Sequence, residues 1–226
     1  LHANGEIFHR HNPNRRMSYK DVALGYMYPN GTGIGGPLIS SGSSIADGLT
    51  NLHPETGQGY PAAVWTFGAH AVEIEVDVET GVITVLKVAS AFDIGQVINE
   101  KLVYGQICGG VLQGLGSAIL EGYKFNDKLQ LMNPSFTDNK IPTMKDVPIE
   151  VVPIYIENPQ HNGPYGARGV GEHPMISVPS AVGNAVYDAL GINFHVLPLS
   201  PEAIALGIAS GKKSILCTDV DCLPGH

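Results

Sequence analysis

The clearest hydrophobic pattern lies in the middle of the chain, where apolar and acidic residues alternate over 72–77. A period of two predicts a half-buried strand, and the turn residues 79–81 lead into a second strand over 82–88. The two strands should therefore form a hairpin. Another strand is predicted over 149–156, at a sheet edge because Pro153 cannot donate a ladder hydrogen bond.

The segment 99–122 has the period of a helix with two unlike faces. The apolar face carries Tyr104, Ile107, Val111, Leu115, Ala118 and Ile119. The other face carries Gln106, Gly109, Gly110, Gln113, Gly114 and Ser117. An interior glycine costs about 0.5–1 kcal/mol relative to alanine, so we expect this face to press against a flat ligand or another backbone. Its two glutamines can form hydrogen bonds there without adding charge.

The remaining elements complete a mixed pattern. Helices are predicted over 179–190, where Gly191 provides a stop, and from Ser200 onward. A short strand is predicted over 192–197, and the glycine-rich residues 161–174 should form a loop. Because helices and strands alternate without a sustained βαβ rhythm, the predicted fold class is α+β. The predicted divisions are an irregular N-terminal segment (1–60), one domain (61–210) and a C-terminal tail (211–226).

Composition and charge argue against several classes of protein. The 226 residues carry a net charge of −8 without a Lys/Arg cluster, which disfavours nucleic acid and anionic membranes as partners. We find no apolar run long enough to cross a bilayer and no signal peptide. Three cysteines do not make a disulfide framework, so we expect a reducing cytoplasm. Cys217, Cys222 and His226 have neither standard zinc spacing nor a fourth ligand.

The loop over 163–174 is the most informative stretch for chemistry. It places one carboxylate, Glu172, among four glycines. A carboxylate on a glycine-rich, mostly apolar loop tends to be desolvated, which suits it to act as a general base. Two structural alternatives stay open: Glu172 could cap the following turn, or it could pair with Arg168.

Several motifs follow one another in order along the chain. They are VEIEVDVETGVITVLKV (72–88), FDIGQVINEKLVYGQICGGVLQGLGSAILE (92–121), the loop 163–174, SAVGNAVYDALG (180–191) and LPLSPEAI (197–204). Together they resemble the C-terminal part of the molybdopterin-binding subunit of the xanthine dehydrogenase/aldehyde oxidase family, the molybdenum hydroxylases. The resemblance implies the C-terminal half of that family's α+β molybdenum-cofactor-binding domain.

The resemblance also implies roles for particular residues. Glu172 would be the catalytic base beside the molybdenum. The implied cofactor-binding residues are Gln106, Gly109, Gly110, Gln113, Val170 and Gly171. Gln106 could equally make an ordinary helix–helix hydrogen bond. Because the pterin dithiolene holds the metal in this family, no residue here is expected to bind it directly.

By the same resemblance, the chain would belong to a multi-subunit hydroxylase that acts on an N-heterocycle or an aldehyde with water-derived oxygen. Its cofactor would be molybdenum with molybdopterin, with or without a cytosine nucleotide. Electrons would pass to 2Fe–2S clusters and FAD on partner subunits, and a complementary half of the molybdopterin subunit would complete the site. The alternatives are a carbon monoxide dehydrogenase-type or reductive relative, or a non-catalytic assembly subunit that retains the fold.

Two positions depart from the family's pattern. His173 stands where the family usually has proline directly after the glutamate. It could tune the base, contact substrate or simply be a surface variant. Arg168 stands where many relatives have lysine, and it could hold an anionic substrate or support the loop.

Overall fold

The computed structural model describes residues 2–43 and 46–216. The chain divides into two compact units, Leu1–Ile45 and Ala46–His226. Cys217, Cys222 and His226, which the sequence singled out as a loose metal-like set, lie outside the described residues.

The first unit contains a small antiparallel sheet and a short helix. The sheet has the order β1-β2-β3, with strands His2–Ala3, Glu6–His9 and Asn12–Ser18. Helix α1 spans Tyr19–Leu24, and the Ser18 side chain caps it by accepting a hydrogen bond from the Asp21 amide. The strands β4 and β5 then pair as Tyr26–Met27 and Gly33–Ile34. The sequence pattern missed this sheet because β3 is exposed at nearly every position, so no alternation marks it.

The second unit is built on a three-stranded sheet of order β6-β7-β8, with strands Gly68–Val76, Ile83–Asp93 and Glu150–Ile156. The predicted hairpin is confirmed, since β6 and β7 are antiparallel neighbours. The predicted edge strand is also confirmed, and β8 runs parallel to β7. In the hairpin turn, Asp77 accepts hydrogen bonds from the Glu79 amide and the Thr80 hydroxyl, and Gly81 has a φ of 75°.

Within residues 46–216, this unit also contains four helices and one further strand pair. The helices α2 to α5 span Glu100–Leu115, His173–Ile176, Val178–Leu190 and Pro201–Ser210. A π-helical turn, Gly116–Leu120, continues α2, and a short 3-10 turn spans Pro164–Gly166. The strands β9 and β10 pair in parallel as Asn193–Phe194 and Ser214–Ile215. The strand predicted over 192–197 is therefore only two residues long, whereas the helix ending at Gly191 is confirmed.

The main core lies between the sheet and the helices α2 and α4. Its buried apolar side chains include Val88 and Phe92 of β7, Ile107 and Val111 of α2, and Val182 of α4. The apolar face predicted for α2 is thus confirmed at Ile107, Val111, Leu115 and Ala118, whereas Tyr104, which was assigned to it, is 50% exposed. A bulge in the β6–β7 ladder shifts the register between Glu73 and Ile74. This lets both Val85 and Val88 turn inward although they are three residues apart.

The 21 residues Glu100–Leu120 are long and apolar enough to cross a membrane by length and composition, contrary to the expectation from the sequence. The core helix of a globular domain meets the same criterion. The burial of Ile107, Val111 and Leu115 against the sheet and α4 gives this helix that role here.

Candidate functional site

The loop that carries Glu172 is tied to the end of strand β7 by backbone hydrogen bonds. The Arg168 amide donates to the Ile94 carbonyl at 2.9 Å, and the Gln96 amide donates to the Gly166 carbonyl at 2.9 Å. Gly95 and Gly166 both have positive φ, and a Cβ on Gly95 would overlap the Gly166 carbonyl oxygen. These close approaches are made within the chain's own backbone, and they are what requires glycine at positions 95 and 166.

A buried ion pair fixes the same loop from its side-chain face. The Arg168 guanidinium lies 3.1 Å from the Asp93 carboxylate, and the two side chains are only 8% and 11% exposed. The guanidinium also donates to the carbonyl of Trp65 at 2.8 Å and of Asn158 at 3.4 Å. Arg168 therefore supports the loop, which decides between the two roles that the sequence had left open.

Glu172 itself is exposed at the end of this loop. It occupies the N-cap position of α3 with αR backbone angles, but its side chain makes no capping hydrogen bond. Its carbonyl accepts a hydrogen bond from the Met175 amide at 2.9 Å. Since the side chain does not cap and Arg168 pairs with Asp93, neither structural alternative for Glu172 holds. The expected desolvation is not provided by this chain alone.

The glycine face of α2 divides into two parts. A Cβ on Gly110 would lie 2.6 Å from the Pro174 side chain, and a Cβ on Gly114 would lie 2.6 Å from Val178. These two glycines let α2 pack closely against the backbone that follows Glu172, so helix packing accounts for both. A Cβ on Gly109, in contrast, would have no described heavy atom within 4 Å. Gly109 thus offers open backbone beside this contact, as does Gly105 one turn earlier on the same helix.

The helix contact brings most of the predicted cofactor-binding residues to one side of the unit. Gln106, Gly109 and Gln113 are exposed and lie one or two helical turns apart on the α2 face that includes Gly110. Among the described residues, neither glutamine side chain has a hydrogen-bond partner, so Gln106 does not make the helix–helix bond considered above. Gly171 is exposed next to Glu172, whereas Val170 is partly buried and packs on the core.

His173 is not a surface variant. Its ring lies 4.9 Å from that of Phe92, centroid to centroid, and burial lowers its pKa. His70 of β6 contacts the same phenyl ring at 5.2 Å, and its Nδ1 lies 2.8 Å from the Ser90 hydroxyl. Nothing in the sequence pattern pointed to His70, Ser90 or Phe92 as residues of the site. His70 precedes the alternating run by only two residues, but the bulge between Glu73 and Ile74 is what places it opposite Ser90 rather than Ala89, and the alternation does not mark that bulge.

The exposed residues at this site fit a pterin cofactor in their chemistry. Neutral amide side chains at Gln106 and Gln113 and bare backbone at Gly109 and Gly171 can form hydrogen bonds with a polar ring system at close range. Within residues 2–43 and 46–216, no group of three or more His, Cys, Asp or Glu side chains is arranged to hold a metal ion directly.

Comparisons with known proteins agree with the resemblance drawn from the motifs. Residues 1–148 match the family model of the molybdopterin cofactor-binding domain. The putative xanthine dehydrogenase molybdenum-binding subunit of Escherichia coli K12 is 35% identical over 190 residues, which is 83% of this chain and 23% of that protein. The nicotine 6-hydroxylase large subunit of Paenarthrobacter nicotinovorans is 42% identical over 142 residues, 61% of this chain and 17% of that protein.

A solved structure shows the same fold. The aldehyde oxidoreductase from Desulfovibrio gigas superimposes with a TM-score of 0.67 at 33% identity, covering 73% of this chain and 18% of that protein. The chain thus spans less than a quarter of the length of each of these relatives. It belongs to the xanthine dehydrogenase/aldehyde oxidase family as a molybdopterin-binding fragment with an α+β fold.

Proposed function

We propose that this chain supplies the general base and part of the cofactor contact of a molybdenum hydroxylase. The base is Glu172, and the cofactor contacts are Gln106, Gly109, Gln113 and Gly171. Gly110 and Val170, which the resemblance also placed at the cofactor, pack inside this chain and support that surface instead. The observation that carries the proposal is the setting of Glu172. Its side chain is exposed, makes no capping bond and has no partner in Arg168, yet its loop is held by an ion pair and by close helix packing. A carboxylate held in place but left unpaired can act on a bound substrate.

The residues of the site have two roles, proton transfer and positioning of the cofactor. Glu172 accepts a proton at its carboxylate from the water-derived oxygen nucleophile as that oxygen attacks an electron-poor carbon. Molybdenum with molybdopterin, when bound, supplies the two-electron redox chemistry. Gln113 and Gln106 orient the cofactor through their amides, and the bare backbone of Gly109 and Gly171 allows it to lie close. Gly110 contributes indirectly, because its missing side chain lets Pro174 pack on α2.

The surroundings of Glu172 require a second polypeptide surface. A general base works best when water is excluded and its proton affinity is raised, and this chain leaves Glu172 exposed. We therefore propose that a complementary half of the molybdopterin subunit covers the site, with the segment 1–60 packing on that half. An Fe–S subunit and an FAD subunit would take the electrons in the cytoplasm. The relatives named as nicotine hydroxylase and aldehyde oxidoreductase support an N-heterocycle or an aldehyde as substrate.

Replacing the base in the assembled complex tests the proposal. Glu172→Gln keeps the size and the backbone but removes the proton acceptor, so kcat should fall by about 10²–10⁴-fold. Molybdenum and pterin content should stay at the level of the unaltered complex. The matched control is Glu75→Gln, which makes the same change at an exposed position of strand β6.

Unchanged turnover in Glu172→Gln, with the complex intact, would refute a catalytic role and would favour the non-catalytic assembly subunit. Turnover of carbon monoxide in place of heterocycles or aldehydes would instead assign the complex to the carbon monoxide dehydrogenase type. Both outcomes are visible in the same preparations, because cofactor content and assembly are measured independently of activity.

A further inference from the structure

Two histidines contact the ring of Phe92 close to the loop that carries Glu172. His173 approaches it edge-on from α3 and His70 from β6, with ring centroids 4.9 and 5.2 Å away. Phe92 is 2% exposed and lies over Gly68, where a Cβ would overlap the phenyl ring. The phenyl ring is therefore confined, and it offers His173 a fixed surface to pack on.

His70 joins this contact to the sheet. His70 and Ser90 are directly opposite on β6 and β7, and Nδ1 lies 2.8 Å from the fully buried Ser90 hydroxyl. Burial lowers the pKa of His70, and the backbone of Pro174 opposes this shift in part. His70 thus lies beside both Phe92 and the first turn of α3.

The packing of His173 against Phe92 leaves a polar atom of its ring without a hydrogen bond. The Nε2 atom of His173 is buried and has no hydrogen-bond partner among the described residues. A buried polar atom without a partner costs free energy that a phenylalanine ring or the family's usual proline at position 173 would avoid. Folding stability alone therefore does not account for a histidine at this contact with Phe92.

Glu172 is the N-cap residue of α3, and its side chain makes no capping hydrogen bond. The position of the Glu172 carboxylate therefore depends on how α3 itself is held. This helix has four residues, so its own hydrogen bonds cannot hold it rigidly. It is held on one side by Pro174 against Gly110 of α2. On the sheet side it is held by His173 against Phe92.

We propose that His173 is a positioning residue for Glu172. Resting on the proposed function, its ring fixes the first turn of α3 against Phe92 and so directs the carboxylate toward the reacting atoms. His70, held by Ser90, backs the same phenyl ring. The role is steric and aromatic, so a phenyl group at position 173 can perform it.

The test compares His173→Ala with His173→Phe in the assembled complex. In His173→Ala, amide hydrogen exchange over 172–178 should become about tenfold faster, because the helix opens locally more often. Its kcat should fall by about 10- to 100-fold, as for a catalytic group displaced by about 1 Å, with KM and cofactor content unchanged. His173→Phe should restore both exchange and kcat, and His195→Ala, which removes an exposed imidazole, should alter neither.

Three outcomes would overturn the proposal: unchanged exchange in His173→Ala, faster exchange with unaltered kcat, or a His173→Phe complex that recovers exchange but not kcat. The last would mean that the imidazole acts on the reaction by its own chemistry. The exchange comparison needs no turnover, whereas the proposed function fails only if Glu172→Gln retains activity. The two failures are therefore distinguishable.

Discussion

Two glycines of helix α2, Gly109 and Gly114, should respond in opposite ways to the same added methyl group. Gly109→Ala places the methyl in open space, whereas Gly114→Ala places it 2.6 Å from the Val178 Cβ and 2.8 Å from the Met175 carbonyl oxygen. Both changes gain about 0.8–1.0 kcal/mol of helix propensity, so this contribution cancels between them. The methyl at position 114 also costs about 1–3 kcal/mol of overpacking.

The difference in unfolding free energy between the two variants should therefore be about 1–3 kcal/mol, with Gly109→Ala the more stable. Urea denaturation of the full chain, followed by far-ultraviolet circular dichroism, measures this difference. Cofactor content and activity should change in the opposite direction to stability. In the assembled complex, the methyl of Gly109→Ala would occupy the backbone surface proposed for the cofactor, so cofactor content or kcat should fall although stability rises.

Equal stability of the two variants would refute the close contact between α2 and the segment after Glu172. A Gly109→Ala complex with full cofactor content and full activity would refute the assignment of Gly109 to the cofactor. The two results are independent, because the first concerns packing inside this chain and the second concerns the open face of the same helix.

Further predictions follow from the ion pair, the buried histidines and the open site. Arg168→Met should destabilise the full chain by about 3–5 kcal/mol in urea unfolding, because Asp93 is left buried without its partner, and Asp93→Asn in addition should recover part of the loss. Since burial lowers the pKa of His70 and His173 below the ordinary 6.5, the unfolded chain binds more protons just below that pH. Stability should therefore be full above about pH 6.5 and decline as the pH falls below it, less steeply when both residues are phenylalanine. Purified without partner chains, the chain should retain no stoichiometric molybdopterin, measured by fluorescence of the extracted pterin; tight retention would contradict the need for a complementary half.

The elements that bury one face were predictable from the sequence, because burial imposes a period. This holds for the β6–β7 hairpin, for α2 and for α4. The small sheet of the first unit was not predictable, since the strand Asn12–Ser18 is exposed along most of its length. A strand that buries neither face leaves no alternation to detect.

At the candidate site, the individual residues could be identified from the sequence, but their contacts with distant residues could not. Glu172 and the glycines around it were evident in the sequence, but their neighbours were not. Glycine permits close approach to any group, so the sequence could not tell that Gly110 faces Pro174 while Gly109 faces open space. The contact of His173 with Phe92 joins residues 81 positions apart and needed the fold to be seen.

In the assembled enzyme, we expect Glu172 to lie within proton-transfer reach of the cofactor. A structure of the complete complex with its cofactor measures this directly. A Glu172 carboxylate oxygen should lie about 2.6–3.2 Å from a ligand of the molybdenum or from a single intervening water, shielded from solvent by the partner surface. A Glu172 side chain that points into bulk water, far from the bound pterin, would contradict it.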